Sequence, residues 1–344
     1  MKKSVSVIIP CRNEESHIGN CLDTIISQEY PKELLEVIVV DGMSDDRTRE
    51  IIQEYSDSYP FIKLKLNKHK FTPYAMNIGI TNSTGDLLVM INSHAVINKF
   101  FLMNSVRSIE STKADAVGGM LNTINIGDDL ISKTIPLAAD SLFGTGGNRY
   151  RTRTKEGYVT DTLPYCLYQK DVFNKIGMID EDLIRDQDEE FNYRLLKYGG
   201  KIYYSPTIKS HLYIRASFKK LWMQHYQYGY FKPLVALKVG TFFTWRQTIP
   251  ALFVGSLLIT SLLSLVFWQS IYLFAAIGLL YFCVNLIFSL VIAVTKGIKH
   301  LFILPIAFSI LHTSYGLGYL KGIWDFIILK KHVKKKIKDI PLTR

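Results

Sequence analysis

Three groups of polar residues in this chain of 344 residues have the types and spacing to bind a ligand. Carboxylates accept hydrogen bonds from the N–H groups of a base and from the hydroxyls of a ribose. The groups are Glu14 with Asp41, then Asn92-Ser93-His94, and then the acidic run around Asp188. We expect all three to reach one rim of the protein, because each comes at the end of a predicted strand or at the start of a predicted helix.

The first group depends on a strand, a helix and a parallel strand. Val5 to Ile9 and Val37 to Val40 are β-branched runs, and the segment between them has apolar residues at helical spacing. Runs without polar alternation predict a parallel sheet covered on both faces. Ligands bind beyond the carboxyl ends of such strands, so the polar residues that follow them should line one pocket. They are Arg12, Asn13, Glu14 and Asp41.

The first turn lacks the glycine pattern of a dinucleotide fold. Carboxylates at the rim would repel a bare pyrophosphate unless a metal ion or a basic group intervened, so the pocket is better suited to a base and ribose. An alternative is that Asp41 only caps the turn that follows it.

The next segments repeat the strand and helix pattern. Helices are predicted over Asp46 to Tyr55, Pro73 to Ile80 and Phe100 to Ser111, and strands over Ile62 to Leu66 and Leu87 to Ile91. Between Met120 and Lys155 the pattern weakens, as in a binding loop or lid. Arg149, Arg151 and Arg153 in this stretch could meet a phosphate or form a solvated face.

An acidic helix follows a short helix over Lys170 to Ile176 that Gly177 should end. Asp188 and Glu190 lie near the start of the acidic helix, and Gly199-Gly200 ends it. Ile202 to Ser205 is predicted as an edge strand, and Phe218 to Tyr230 as an aromatic-rich helix.

Charge and hydropathy predict attachment to a membrane. The formal net charge is +11, yet no Asp, Glu, Lys or Arg lies between Arg246 and Lys296. This stretch predicts a hairpin of two spans, Ile249 to Trp268 and Ile271 to Thr295, with Lys296 and Lys299 returning to the cytosol. Leu301 to Leu320 is either re-entrant or interfacial, or it crosses and returns. The lysines at the end of the chain favour an anionic cytoplasmic leaflet over nucleic acid; they are Lys330, Lys331, Lys334, Lys335, Lys336 and Lys338.

The termini and cysteines agree with a cytosolic folded domain. The chain reaches its first strand within a few residues, which leaves no room for a signal peptide. The four cysteines form no disulfide framework and no C-x-x-C motif.

In order and spacing these motifs resemble family 2 glycosyltransferases, whose nucleotide-sugar-binding fold is called GT-A. The segment Ile8 to Glu14, which includes Pro10, resembles the first motif of that family, and Val39 to Thr48 the second. Asn92-Ser93-His94-Ala95 stands where the family has D-x-D or D-x-H, and Gln187 to Arg194 where it has an acidic helix ending in Arg. Gln224 to Tyr228 is similar to the Q-x-x-R-W element. Other segments look most like the succinoglycan-type exopolysaccharide transferases.

The resemblance implies a role for each residue. Pro10, Arg12, Glu14, Asp41, Asn92 and Ser93 would bind the nucleotide sugar, and His94 would ligate Mg2+ or Mn2+. Asp188 would be the general base, with Asp186 and Glu190 as rivals. Glu190, Gln224 and Tyr228 would lie at the acceptor or the diphosphate. Asn92 replaces the first Asp of D-x-D, which should weaken metal binding. His94 as a structural residue, and acids that only favour the helix start, are the alternatives.

The resemblance therefore implies a GT-A α/β fold, with a mostly parallel sheet and helices on both faces, followed by transmembrane helices. We divide the chain into a catalytic domain (1–228), an interfacial helix (229–247), membrane helices (248–329) and a basic tail (330–344). The implied enzyme is an inverting hexosyltransferase of the cell membrane, multi-pass, with its catalytic domain in the cytosol. It would use a UDP-linked donor and a lipid-linked glycan acceptor in exopolysaccharide or capsule assembly. The rival is a catalytically weak subunit that only binds the nucleotide sugar.

Overall fold

A computed structural model describes residues 3–125, 127, 129–146, 153–214, 217–240 and 245–334. The predicted features at Arg149, Arg151, Lys335, Lys336 and Lys338 lie outside the described residues. The chain forms two compact units. The first comprises Met1–Asn122 with Arg149–Tyr213, and the second Thr123–Asn148 with Ile214–Arg344.

The first unit is built on one sheet of nine strands among the described residues. The strands are β1 (Val5–Cys11), β2 (Leu35–Asp41), β3 (Ile62–Leu66), β4 (Leu87–Met90), β5 (Ala95–Ile97), β6 (Ala116–Asn125), β7 (Gly157–Val159), β8 (Leu167–Gln169) and β9 (Ile202–Ile214). Their order is β3-β2-β1-β4-β8-β6-β9-β5, and β7 also pairs with β9. The first four strands in this order are parallel, as predicted.

The other described pairings are antiparallel, so the sheet is mixed. The prediction of Ile202 to Ser205 as an edge strand was wrong. β9 spans Ile202–Ile214 and has β6, β5 and β7 as partners. Polar residues such as Thr207 and Lys209 lie within this strand, and they broke the apolar pattern that the sequence analysis followed.

Helices cover both faces of the sheet. In the first unit they are α1 (Ile18–Ile26), α2 (Thr48–Ser58), α3 (Thr72–Asn82), α4 (Phe101–Thr112), α7 (Asp171–Ile176) and α8 (Gln187–Lys197). One apolar cluster joins Val7 and Ile9 of β1 to α1, α2 and α4. A second joins Ile8 to α3, α7 and α8. The opposite sides of β1 are therefore both buried, which is why this strand is apolar throughout.

A buried carboxylate links the first three strands. Glu36 on β2 accepts hydrogen bonds from Ser6 Oγ (2.6 Å), Lys63 Nζ (2.8 Å) and the Thr84 N–H (2.9 Å). Burial by itself raises the pKa of Glu36, but the bonds from Lys63, Ser6 and Thr84 outweigh burial and leave the pKa below its usual value.

We expect Glu36→Gln to lower the free energy of unfolding by about 1.5–3 kcal/mol at neutral pH, since it removes charge-assisted hydrogen bonds. The folded pKa is the lower one, so ionised Glu36 stabilises the fold above pH ~4.3. Its contribution is lost as the pH falls through the folded value. Thermal unfolding between pH 3 and 8 measures both effects. Glu50→Gln, in an exposed pair with Arg47, is the control. Equal losses of unfolding free energy in the two variants would refute the stabilising role of Glu36.

The second unit is helical in its described part. Its helices are α5 (Leu130–Ala139), α6 (Leu142–Thr145), α9 (Phe218–Val239), α10 (Ile249–Leu263), α11 (Ser270–Lys296), α12 (Leu304–Gly322) and α13 (Lys331–Lys334), with a π-helix at Ile323–Ile328. In the part of the chain that the structure describes, two helical segments are long and apolar enough to cross a membrane, Arg246–Leu263 and Ser270–Lys296. The third predicted segment forms α12 and is largely packed inside the unit, where Leu304, Ala307, Phe308 and Leu311 are buried. Helix α9 continues through the domain boundary that we predicted at residue 228.

Glycines let α9 and α12 approach closely. A Cβ atom on Gly318 would lie 2.1 Å from the carbonyl oxygen of Tyr226, and one on Gly322 would lie 2.2 Å from that of Tyr230. Gly229 on α9 faces the carbonyl oxygen of Tyr315 in the same way, at 2.1 Å. Side chains at these positions would push the backbones apart.

We expect Gly318→Ala to lower the free energy of unfolding of the full chain in detergent by about 1–3 kcal/mol, the usual effect of overpacking. Gly278→Ala is the matched control, because a Cβ atom there meets nothing within 4 Å. Thermal unfolding monitored by circular dichroism measures both. If Gly318→Ala were as stable as Gly278→Ala, the close approach of α9 and α12 would be wrong.

Candidate active site

Three polar segments leave the sheet at the same edge. β1 is the parallel neighbour of both β2 and β4, with Cys11 opposite Asp41 and Ile8 opposite Met90. The residues after these strands therefore emerge side by side. They are Arg12 to Glu14, Gly42 to Ser44, and Asn92 to His94.

Asp41 holds the turn after β2. Its side chain is 0% exposed, and its carboxylate accepts hydrogen bonds from the Ser44 N–H (3.1 Å) and from Ser44 Oγ. Arg49 Nε lies 3.4 Å from the same carboxylate. These contacts are those of the turn-capping alternative, and the binding of a nucleotide by Asp41 stays a prediction.

The loop after β1 is bonded to that turn. Ser44 Oγ accepts from the Asn13 N–H (2.9 Å), and Thr48 Oγ1 accepts from the Glu14 N–H (2.7 Å). Asn13 and Met43 both have left-handed backbones, with φ of 53° and 58°. Non-glycine residues adopt this conformation only where their surroundings hold them in it. Ser44 and Thr48 are site residues that the sequence analysis missed, although their spacing after Asp41 is that of a side-chain-capped turn.

His94 faces Glu14 across this edge. The distance from His94 Nδ1 to Glu14 Oε1 is 3.5 Å, with the two side chains 31% and 12% exposed. His94 Nδ1 is itself buried and has no hydrogen-bond partner among the described residues, and the same is true of Arg12 Nε. Buried polar atoms without a hydrogen bond are uncommon. Both atoms are available for a hydrogen bond to a ligand at this edge.

Ser93 and Asn92 differ in accessibility. Ser93 is buried, whereas Asn92 is partly exposed, and the Asn92 carbonyl accepts hydrogen bonds from the Ala95 N–H (3.0 Å) and weakly from Cys21 Sγ (3.6 Å). The amide of Asn92 and the imidazole of His94 are thus the accessible groups of this segment.

The three candidate acids at the start of α8 differ in exposure and in hydrogen bonding. Asp188 is exposed, and its Oδ1 accepts a hydrogen bond from the Glu189 N–H (2.9 Å). Glu190 is only 3% exposed, and both its oxygens accept from Arg194, at 2.8 Å each. Arg194 also donates to the carbonyls of Ile176 and Met178. Glu190 is therefore bonded inside the protein, whereas Asp188 is exposed. The left-handed Asp186 (φ 59°) precedes the helix.

The strand register brings Asp188 to the same edge of the sheet. β8 is antiparallel to β4 with Leu167 opposite Val89, so Cys166 lies at the carboxyl end of β4. Burial raises the pKa of the Cys166 thiol, and the nearby carboxylate of Asp188 raises it further. Asn192, one turn beyond Asp188, donates to the carbonyl of Leu163, three residues before Cys166, so the start of α8 lies near the end of the sheet where Asn92 to His94 begin.

Asn192, one turn beyond Asp188, anchors this part of α8. Its Nδ2 donates to Thr162 Oγ1 (2.9 Å) and to the Leu163 carbonyl (3.0 Å), and its Oδ1 accepts from the Tyr168 hydroxyl (2.8 Å). All its hydrogen-bonding groups are used, so the helix start is held in one position. Nothing in the residue type or spacing of Asn192 predicts this role.

Gln224 and Tyr228 belong to the second unit. They lie one turn apart on α9, and Gln224 Nε2 donates to the Tyr228 hydroxyl (3.0 Å).

No group of three or more His, Cys, Asp or Glu side chains able to hold a metal ion occurs among the described residues. His94, Glu14 and the amide of Asn92 fit a cation that takes its other ligands from phosphate oxygens and water, as Mg2+ commonly does. Mn2+ accepts imidazole more readily.

Residues 6–177 match the sequence profile of glycosyl transferase family 2. A dolichyl N-acetyl-alpha-D-glucosaminyl phosphate 3-beta-D-2,3-diacetamido-2,3-dideoxy-beta-D-glucuronosyltransferase of Methanococcus voltae is 32% identical over 329 residues, covering 93% of this chain and 97% of the relative. The chain belongs to glycosyl transferase family 2. The succinoglycan biosynthesis protein ExoA of Rhizobium meliloti is 27% identical over 267 residues, covering 77% of this chain and 79% of ExoA. This chain is thus a glycosyltransferase that acts in glycan biosynthesis.

Similarity to solved structures shows that this chain has the GT-A fold. The mannosyltransferase PcManGT from Pyrobaculum calidifontis, in complex with GDP-Man and Mn2+, matches with a TM-score of 0.60 and 16% identity over 94% of this chain and 88% of its own. TarS of S. aureus in complex with UDP-GlcNAc matches with a TM-score of 0.51 and 18% identity, over 68% of this chain and 66% of its own.

Proposed function

We propose that this glycosyltransferase transfers a hexose from a UDP-linked donor to a lipid-linked glycan, with inversion at the anomeric carbon. The observation that carries the proposal is the shared sheet edge. The turn after β2, the Glu14–His94 pair and the exposed Asp188 all lie there. The acceptor class is supported by the Methanococcus voltae relative, whose name gives a dolichyl phosphate saccharide as its acceptor.

In the proposed reaction the loop after β1 and the turn after β2 bind the base and ribose. Arg12 and Asn92 lie towards the diphosphate, beside His94. Asp41, in the turn that Ser44 holds, belongs to the same subsite, and Pro10 and Ser93 shape the strand ends. A divalent cation held by His94 would stabilise the negative charge that develops on the departing diphosphate.

Asp188 is the proposed base. Its carboxylate takes the proton of the acceptor hydroxyl, whose oxygen forms a bond to the anomeric carbon. The bond from that carbon to the diphosphate oxygen breaks, and the nucleoside diphosphate leaves on the opposite face. One base on the acceptor side is sufficient for this single displacement. Gln224 and Tyr228 remain proposed contacts of the acceptor or the diphosphate.

Membrane attachment is part of the proposal. The α10–α11 hairpin would hold the enzyme in the cell membrane with its catalytic unit in the cytosol. Its outer surfaces expose large apolar side chains, including Leu252, Leu262, Leu265, Leu280 and Val294. Exposed apolar area of this extent is uncommon in water.

A donor screen tests the function. The full chain in lipid would be assayed with several UDP- and GDP-sugars and a polyprenyl-linked saccharide, with and without Mg2+ or Mn2+. We expect transfer from a UDP-sugar, with the product inverted. Donor binding without transfer under any of these conditions would favour the binding-subunit alternative, which Asn92 in place of Asp keeps open.

We expect His94→Ala to raise the Mn2+ concentration for half-maximal transfer by about tenfold or more, because an imidazole ligand is lost. Titrating Mn2+ at saturating donor, and measuring donor binding with and without Mn2+, checks this. His69→Ala, an exposed histidine after β3, is the control. An unchanged Mn2+ requirement in His94→Ala would remove His94 from the metal site.

A further inference from the structure

The π-helix at Ile323–Ile328 buries a carboxylate and exposes large apolar side chains. Asp325 and Phe326 are buried, at 4% and 1% exposed. Trp324, Ile327 and Ile328 are exposed at 52%, 36% and 56%, and Leu329 follows at 38%. A helix facing water shows the opposite arrangement. The outer side of this segment is therefore suited to a medium less polar than water.

Lysines surround these apolar side chains. Lys321 Nζ and Lys331 Nζ both lie 2.8 Å from Asp325 Oδ1, and the Tyr230 hydroxyl donates to Asp325 Oδ2 (3.0 Å). Lys330, also exposed, has a left-handed backbone with φ of 51°. One buried carboxylate thus holds two ammonium groups at the surface, and the three lysines leave an excess of positive charge.

Several contacts keep this arrangement rigid. Asp325 joins Lys321, Lys331 and Tyr230 through hydrogen bonds to its two carboxylate oxygens. Phe326 packs against Tyr230 and Phe231 of α9. These contacts therefore hold the lysine stems and the exposed apolar side chains on one surface.

We infer that the surface formed by Lys321, Trp324, Ile327, Ile328, Leu329, Lys330 and Lys331, here called the Trp324 patch, docks into the headgroup region of an anionic phospholipid leaflet. The apolar side chains enter the boundary of the acyl chains, and the ammonium groups contact lipid phosphates. Tryptophan and lysine are typical of that depth, and anionic lipids complement the charge. The inference rests on the proposed membrane attachment. It adds a second, headgroup-selective contact to the α10–α11 hairpin.

Tryptophan quenching tests the apolar part. The full chain would be placed in nanodiscs that contain lipids brominated high on the acyl chain, and the wild type compared with Trp324→Phe and Trp268→Phe. Trp268 lies in the turn of the hairpin. We expect Trp324→Phe to remove a measurable share of the lipid-dependent quenching. If Trp268 is quenched and Trp324 is not, the inferred docking of the Trp324 patch is wrong and the proposed attachment of the hairpin to the membrane stands. If neither tryptophan is quenched, both the docking and the attachment are wrong.

Charge variants test the headgroup part. In the wild type we expect brominated phosphatidylglycerol to quench Trp324 more than brominated phosphatidylcholine at equal mole fraction. Lys330→Gln should lower this preference by up to about fivefold. The triple variant Lys321→Gln, Asp325→Asn, Lys331→Gln should lower it further without leaving a buried charge unpaired. Lys113→Gln with Lys175→Gln, both exposed in the first unit, is the control. Equal quenching by the two lipids in the wild type would overturn the headgroup contact.

Discussion

Asp188→Asn is expected to lower kcat for sugar transfer by about 10²–10⁴-fold while leaving the KM for the donor nearly unchanged. The change keeps the shape and the hydrogen bond from the Glu189 N–H, but an amide cannot take the acceptor proton. Steady-state kinetics with varied donor and acceptor measure both constants.

Asp57→Asn is the matched control for this experiment, because Asp57 is an exposed carboxylate on α2. It should leave both constants as they are. Retention of transfer by Asp188→Asn would show that another group is the base, and Asp186 would then be tested first.

Glu190→Ala is expected to lower the free energy of unfolding by about 1.5–3 kcal/mol, because it removes the charge-assisted hydrogen bonds between this buried carboxylate and Arg194, whose side chain is 20% exposed. The ion pair is bidentate, because both oxygens of Glu190 accept hydrogen bonds from Arg194 at 2.8 Å. Thermal and denaturant unfolding of the full chain in detergent measure the loss.

The double variant Glu190→Ala, Arg194→Met separates the ion pair from the acceptor role. It should recover part of the stability, because no partly buried guanidinium is left without its carboxylate. Glu50→Ala, in the exposed pair with Arg47, should cost about 0–1 kcal/mol. If Glu190→Ala kept full stability and instead raised the KM for the acceptor, Glu190 would belong to the acceptor site, as the sequence resemblance implied.

The parallel half of the sheet could be predicted because its signals are local. β1, β2 and β4 are short, mainly apolar runs, β3 alternates Ile or Leu with Lys, and polar residues follow each of them. Each prediction falls within two residues of the observed bounds at either end. The same applies to the acidic helix, whose Gly200 follows its last turn, and to Gly177, which has φ of 85° and ends α7 as expected.

The second half of the sheet depends on distant partners. β6 and β8 pair although about fifty residues separate them, and β9 continues through polar residues because three strands flank it. The helix α5 contains Pro136, and the sequence around it showed no helical pattern. Thr134 of α5 bonds to His300 (2.6 Å), a contact between residues 166 positions apart. No local pattern carries such information.

Individual roles at the site depended on burial, which residue type does not reveal. Asp41, Asp188 and Glu190 are all acids near strand or helix ends, yet the first supports a turn, the second is exposed and the third is bound to an arginine. Ser44, Thr48 and Asn192 were missed for the same reason. Their hydroxyls and amide are common residue types, and only the fold brings them to Asp41, Glu14 and Tyr168.

A structure of the full chain in lipid with a UDP-sugar and Mn2+, determined by cryo-electron microscopy, tests the central claim most directly. We expect the uridine on the turn after β2, the diphosphate beside His94, and the anomeric carbon on the side of the pocket where Asp188 lies. A nucleotide bound at another edge of the sheet, or a sugar that points away from Asp188, would contradict the account.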